Sequence, residues 1–310
     1  MKPGISYGTH LYSPASPEDL RGIGPSVQSF LSKFGSPDSR EVAAYTAQLS
    51  AGLGAGVIRG ILGRCGQDGP VDSFCFMEPN VFGVLEESPV YAEHPDDYLC
   101  CIDAFMHFHR VPEHAPVRMD IERETAELIR HGMVARGFAE YRRSNMGLSP
   151  LRKAGSIASA PGDLRPVRFV PTIAGSILAI QREAYQDQPD AAVFPELFMS
   201  PADPSRSNLG FGWSDVDADL SPCLADRDGL AGYCLVRSGP DSALVLDLAV
   251  RPSRARRGVG RFLLEDAICR CAGAGLREIE LSVTIGGVAH RLYRNLGFRD
   301  AAGFSFFRIG

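Results

Sequence analysis

From residue 167 onward, apolar positions recur in blocks whose period switches between two and 3.6. Val167-Arg168-Phe169-Val170 reads as a short strand. Ile173, Ile177, Leu178 and Ile180 then recur at helical spacing through Tyr185, which predicts an amphipathic helix. A polar, proline-containing and aromatic stretch, residues 186–221, holds the only tryptophan, Trp213. Asp226-Arg227-Asp228-Gly229 is a hairpin signature, because glycine accepts the positive φ that a tight turn between strands requires. Leu230–Val236 follows as a strand, and Ser238-Gly239-Pro240-Asp241 turns the chain into another over Ala243–Val250. A basic, glycine-punctuated loop leads to a helix over Gly258–Ala274, then a strand (Glu278–Thr284), a helix (Gly287–Asn295) and a closing strand (Gly303–Ile309). Helices inserted among largely hairpin-linked strands predict an α+β architecture with a mixed, mainly antiparallel sheet.

The first half carries a weaker echo of this order. A shift of 160 residues lays Gly137-Phe138 on Gly297-Phe298, Met119 on Ile279 and Ile121 on Leu281. In both places an alternating strand leads to an amphipathic helix ending in Gly-Phe, the signature of an internal repeat. Residues 1–150 are therefore expected to form a degenerate, non-catalytic copy of the fold in residues 167–310. The Ser-, Ala-, Gly- and Pro-rich residues 151–166 are expected to link them. In the first copy Met133 stands where the second has Tyr293, and His94-Pro95-Asp96-Asp97-Tyr98 stands near where the second has its glycine loop. Two acids there would repel a phosphate. Gly52-Leu53-Gly54-Ala55-Gly56 is glycine-rich but sits in a helical context, so it reads as a turn.

Length and composition agree with two ordinary domains: 310 residues, 45% hydrophobic and 22% charged. The formal net charge of −5 offers no bulk attraction to nucleic acid or to an anionic membrane. No stretch approaches the ~18 apolar residues of a membrane span, and the N-terminus lacks the apolar core of a secretory signal. The eight cysteines form no C-x-x-C pair and read as reduced thiols of a cytoplasmic protein. His107 and His109 would share a face on a strand, but no Cys or carboxylate cluster accompanies them or His114, so no metal is expected.

The chemistry concentrates between Leu246 and Leu264. A strand ends at Val250, Pro252 stops it, and a helix begins at once with Gly258 and Gly260 at the junction. Glycines let backbone N–H groups approach a ligand, and a helix N-terminus offers unpaired donors. Arg254, Arg256, Arg257 and Arg261 add positive charge. Together these suit a polyanion such as a pyrophosphate, although the residues alone also fit a solvated basic turn.

This loop resembles motif A of the GNAT superfamily of acyl-CoA-dependent N-acetyltransferases: a strand ending L-x-V-x-P, then R/Q-x-x-G-x-G/A, then a helix. Downstream, Ala289-His290-Arg291-Leu292-Tyr293-Arg294-Asn295-Leu296-Gly297-Phe298 is similar to that family's A-x-x-L-Y-x-x-L-G-F segment. The resemblance covers about the last 145 residues and implies a GNAT fold, with the weaker copy making a tandem. It implies acetyl-CoA, or another acyl-CoA, as cosubstrate. The strand backbone at Leu248, Ala249 and Val250 would pair with the pantetheine arm. The N–H groups of Arg256, Arg257, Gly258, Val259, Gly260 and Arg261 would hold the pyrophosphate, and the Tyr293 phenol would protonate or hydrogen-bond the departing thiolate. Two positions depart from the pattern: Ala255 replaces the usual Gln or Arg, and Gly286 a frequent Asn.

Asp247, beside the expected thioester position, is a candidate base or a structural hydrogen-bonding residue; Glu183, Asp215 and Asp217 are further candidates. Phe211, Trp213 and Tyr185 fit either a substrate pocket or packing between segments. The expected activity is transfer of a short acyl group to a primary amine by direct attack. The acceptor is expected to be a small molecule rather than a protein, and the chain a monomer or homodimer without nucleic-acid or membrane partners. The competing expectation is a CoA-binding regulator that keeps the fold without catalysis.

Overall fold

The computed structural model describes residues 4–32, 36–66, 69–79, 85–109, 117–151, 159–198 and 205–309. The chain divides into two units, one of Met1–Glu140 with Ser305–Gly310 and one of Tyr141–Phe304. The division falls upstream of the composition-based linker, of which residues 152–158 lie outside the described residues.

The first unit opens with β1 (Ile5–Tyr7), β2 (His10–Pro14), α1 (Gly24–Leu31) and α2 (Ser39–Gly54). Asp38 caps α2 by accepting the N–H groups of Arg40 and Glu41, at 2.7 and 2.9 Å. The glycine-rich run at 52–56 is the end of this helix and its exit turn. Then come β3 (Arg59–Cys65), β4 (Val71–Pro79), β5 (Leu85–Ala92), α3 (Pro95–Phe108), β6 (Val117–Glu122) and α4 (Arg123–Ala135); β7 (Ala139–Leu148) follows and belongs to the second unit from Tyr141 on. Strands β1 to β5 pair as antiparallel neighbours, and β5 pairs with β6 in parallel. His107 lies on α3 and His109 caps it, so they do not share a strand face. The unit's core gathers Tyr12, Ile61, Met77, Ile102, Phe105 and Met119 on one side of the sheet.

The second unit continues with β8 (Arg165–Arg168), α5 (Ala174–Tyr185), the short α6 (Asp190–Val193), β9 (Pro222–Asp226), β10 (Gly229–Ser238) and β11 (Ser242–Val250). The chain ends with α7 (Val259–Gly273), β12 (Glu278–Thr284), α8 (Val288–Asn295) and β13 (Arg299–Ile309). Strand order in this unit is β8-β9-β10-β11-β12-β7-β13. The β11/β12 pair is parallel and β12/β7 antiparallel. This is the α+β, antiparallel-rich plan expected, and each predicted strand and helix after residue 167 appears within a few residues of its expected bounds. One apolar core packs under α7 and α8, with Val245, Leu263, Leu264, Ile279 and Tyr293. Another packs under α5, with Ile177, Ile180, Trp213, Tyr233 and Leu235.

The two units share the echo seen in the sequence. A parallel strand pair (β5/β6, β11/β12) brackets a helix (α3, α7), and an amphipathic helix (α4, α8) ends in Gly-Phe. Gly137 and Gly297 both take positive φ, +88° and +93°. The Phe138 N–H donates to the Met133 carbonyl and the Phe298 N–H to the Tyr293 carbonyl, each at 3.1 Å. This six-to-one closure satisfies a last-turn carbonyl in the same way twice.

Candidate active site

The opening that matters lies between β11 and β12. Their parallel pairing covers only Ser242↔Glu278, Ala243↔Ile279 and Leu244↔Glu280. Beyond Leu244 the two strands have no further register partners among the described residues, while β12 goes on pairing with β7 up to Thr284↔Arg143. The β11 edge from Val245 to Val250 thus keeps unpaired backbone groups, suited to an extended ligand arm that adds to a strand edge. Leu248, Ala249 and Val250, expected to hold the pantetheine arm, lie on this edge.

A β-bulge sets which way β11 side chains point. The register with β10 jumps from Leu235↔Asp247 to Val236↔Val245, leaving Leu246 as the extra residue. Ala243, Val245, Leu248 and Val250 pack toward α7, whereas Leu246 and Ala249 pack toward α5. Simple alternation would place Leu246 opposite Asp247. The bulge puts both on the α5 side.

At the end of β11, Arg251 and Arg254 do not reach toward solvent. Arg254 donates to buried Asp226 at 2.8 Å and to Asp163 at 2.8 Å. Arg251 approaches Asp226 at 3.4 Å and also donates to the Leu230 carbonyl. Against its burial, hydrogen bonds from the Asp228 N–H and from Arg254, with the charge of both guanidinium groups, hold the Asp226 carboxyl below the ordinary carboxylate range; the Arg254 hydrogen bond does the same for Asp163. Arg254, counted from sequence with the phosphate-facing cations, is therefore a strut of the loop. Arg261 pairs with Glu265 one turn on, at 2.9 Å on the surface. Arg256 and Arg257 are exposed.

The loop then turns sharply into α7. Arg256 has φ +58° and Gly258 φ +79°, two left-handed residues in three. Gly258 is the N-cap of α7, and no side chain accepts from the helix's first N–H groups there. Among the described residues no acceptor meets the N–H groups of Val259 to Arg261, which suits them to a phosphate. A Cβ built on Gly260 would lie 3.5 Å from Val250, 3.7 Å from Leu248 and 3.9 Å from Leu292. Hence the start of α7, the end of β11 and helix α8 meet at one place.

Tyr293 lies on α8 at that junction, 6% exposed, with its ring 5.9 Å from Phe298. Burial pushes its phenol up, with added electrostatic contributions from Cys234, Asp247 and Asp190. Asp247 is buried beneath α5. Its Oδ2 accepts from Tyr233 at 2.7 Å and Gln181 at 2.8 Å, and its Oδ1 accepts from Tyr185 at 2.7 Å. Burial raises the Asp247 carboxyl, against these hydrogen bonds, which lower it. A carboxylate so saturated reads as a strut more than a proton relay. The other candidate bases are further from this role. Asp215 accepts the Gly212 N–H, Asp217 accepts from Ser238 and the turn at Asp219, and Glu183 is exposed. Phe211 and Trp213 pack edge to face at 5.7 Å inside the α5 core.

Sequence reasoning missed a second cluster. Arg143 on β7, 10% exposed, donates to Asp190 at 2.8 Å, Thr284 at 3.0 Å and Ser282 at 3.3 Å. Thr284 also donates to Asp190 at 2.8 Å, and Arg143 stacks 5.0 Å over the Phe194 ring. Only the sheet brings Arg143 to Thr284, so no local spacing signals it. Among the described residues no group of three or more His, Cys, Asp or Glu is placed to hold a metal ion.

A family model described as an acetyltransferase (GNAT) domain matches residues 220–300, from just before β9 to just past α8. This part of the chain is a GNAT acetyltransferase domain. It is 42% identical over 88 residues to mycothiol acetyltransferase of Clavibacter michiganensis, covering 28% of this chain and 29% of that protein. It is 34% identical over 79 residues to the ribosomal protein bS18-alanine N-acetyltransferase of Salmonella typhimurium, covering 25% of this chain and 53% of that protein. The chain thus spans under a third of the first relative and about half of the second.

Solved structures extend the GNAT fold to the whole chain. A GCN5-related N-acetyltransferase from Sphaerobacter thermophilus superposes with TM-score 0.61 at 16% identity, over 98% of this chain and 96% of that one. A tandem GNAT protein from the clavulanic acid biosynthesis pathway superposes with TM-score 0.54 at 12% identity, over 97% and 98%. At such identities the likeness is one of fold. It makes the first unit a GNAT fold too, as the internal repeat predicted.

Proposed function

We propose that this chain is an acetyl-CoA-dependent N-acetyltransferase whose second unit carries the reaction on a small-molecule primary amine. The observation that carries the reading is the parting of β11 from β12 directly beside the uncapped N-terminus of α7. The Leu248–Val250 edge pairs with the pantetheine arm, and the N–H groups of Arg256–Arg261 receive the pyrophosphate. Both contacts are made by backbone, so the substitutions at Ala255 and Gly286 leave them in place.

The chemistry follows from what surrounds the opening. The acceptor amine, having lost one proton to water, attacks the thioester carbonyl carbon. A C–N bond forms, the C–S bond breaks, and nitrogen sheds a second proton. Tyr293 gives its hydroxyl proton to the departing sulfur and recovers one from solvent fed by the nitrogen. A buried phenol with a raised pKa stays protonated at neutral pH, as this role demands. Asp247 holds Tyr185, Tyr233 and Gln181 beneath the strand and so fixes the bulge that aims the β11 backbone.

Titration calorimetry with acetyl-CoA tests the reading, together with thiol release on addition of amines. Micromolar binding and amine-dependent release are expected. At saturating ligand, 100 times Kd, binding alone stabilises the fold by about 2.7 kcal/mol. Absence of binding at millimolar acetyl-CoA ends the proposal. Binding without release for any amine leaves a CoA-binding regulator instead.

A further inference from the structure

The cluster of Arg143, Asp190 and Thr284 has no part in holding the cofactor, yet it borders the reacting centre. Thr284 ends β12, the strand that parts from β11 beyond Leu244, and the parallel register puts it level with Leu248 across that opening. The Asp190 carboxylate is used on one side only. Oδ1 accepts from Arg143 and from Thr284, both at 2.8 Å. No described residue donates to Oδ2, and the Asp190 side chain is 21% exposed, so a ligand can reach it. The clamp is rigid: Thr284 ends β12, Arg143 is its cross-strand partner on β7, and Ser282 and the Phe194 ring hold the guanidinium from other sides. A second acceptor lies on the adjoining helix. Gln181 Oε1 is buried without a partner among the described residues, its amide nitrogen being turned to Asp247.

Rigidly held, half-used acceptors suit a donor-rich group, and a carboxylate among them suits a positive one. The Arg143 Nη atoms donate to Asp190, Thr284 and Ser282, which fixes the Asp190 carboxylate in place. We propose that Asp190 Oδ2 receives the ammonium group of the acceptor, which makes the acceptor a cationic primary amine. This rests on the acetyltransferase reading and narrows it to a substrate class. Asp190 binds and orients the nitrogen beside the thioester, and loss of the amine's proton to water then frees the nucleophile.

The test compares charged and uncharged nucleophiles. Spermidine, glucosamine and tyramine are cationic at neutral pH, whereas p-anisidine is neutral. Asp190→Asn is expected to raise KM for whichever cationic amines turn over by about ten- to hundredfold, the scale of a charge-assisted hydrogen bond. Turnover of p-anisidine and the acetyl-CoA Kd should stay within about threefold. Because Asp190→Asn strands the Arg143 guanidinium, the double variant Arg143→Gln/Asp190→Asn is measured beside it and should show the same selective loss. Equal losses for charged and neutral amines would make Asp190 a structural strut and overturn the inference. So would acetyl-CoA binding with no turnover of any cationic amine. Failure of acetyl-CoA to bind at all removes the wider reading as well, and calorimetry separates that case from the others.

Discussion

At the scale of single residues, Asp247 and Tyr293 separate structure from chemistry. Asp247 takes three side-chain hydrogen bonds in a buried setting. Replacing it with Leu strands Gln181 and two tyrosine hydroxyls and should destabilise the fold by about 3 kcal/mol or more, at 1–3 kcal/mol per orphaned group. Asn can keep all three contacts, with one oxygen accepting from Tyr233 and Gln181 and an amide donating to Tyr185. If Asp247 is a strut, Asp247→Asn keeps thiol release within about threefold; a loss of a hundredfold or more would make it the base. The pH dependence has a definite sign. The folded protein holds the Asp247 proton more tightly than the unfolded chain does, because burial raises this carboxyl. Its contribution to stability is therefore present below the ordinary carboxylate value and is lost as pH rises through the raised one. Urea denaturation across that window should show wild type losing ground to Asp247→Asn as pH increases, and a gap that narrows instead would contradict the assignment. For Tyr293→Phe, turnover should fall by about a hundredfold with acetyl-CoA affinity little changed. A variant with unaltered turnover takes Tyr293 out of the reaction.

At the scale of elements, the junction of β11 with α7 tells its two glycines apart. Gly258 has φ +79° and caps the helix, so Gly258→Ala imposes about 1–2 kcal/mol of left-handed strain and turns the N–H donors away. Gly260 lies inside the helix, with neighbours at 3.5 to 3.9 Å, an ordinary contact distance for a methyl. Gly260→Ala should therefore stabilise the unliganded protein by about 0.5–1 kcal/mol through helix propensity and leave acetyl-CoA affinity within threefold. Gly258→Ala should lower both stability and affinity; thermal melts with calorimetry on the two variants decide, and the opposite ranking would show that the phosphate cradle is elsewhere. This junction was legible in the sequence because proline, glycine and helix period are local signals. The same holds for the β9–β10 hairpin at Asp228-Gly229. What stayed hidden depends on tertiary pairing. The commitment of Arg254 to Asp163 and Asp226 bridges 91 and 28 residues. The Arg143–Asp190 pair bridges 47 and is set by sheet register. The bulge at Leu246 was hidden as well, since Leu244–Val250 is apolar at every position but Asp247 and so gives no sign of an extra residue.

At the scale of the molecule, one fold is used twice, and the features that suit a pyrophosphate stand in one copy. Both units keep the parallel strand pair, the crossing helix and the Gly-Phe helix stop, which are the features that packing requires. The difference lies at the helix N-terminus. In the second unit α7 starts after a glycine N-cap, with no side chain capping its first N–H groups. In the first unit α3 starts at Pro95, which has no N–H, and carries Asp96 and Asp97 in its first turn. The Asp97 carboxylate accepts from the Tyr12 hydroxyl at 3.2 Å and lies 3.4 Å from His10, so the positive end of α3 already has its anion. A pyrophosphate brought there would meet two carboxylates. Titration of the full chain should accordingly give one acetyl-CoA per polypeptide, and Gly258→Ala should weaken that single event without uncovering a second. Two binding events per chain would mean that the first unit binds the cofactor despite its acidic helix start, and the backbone donors at Gly258 would then lose their standing as the feature that separates the two copies.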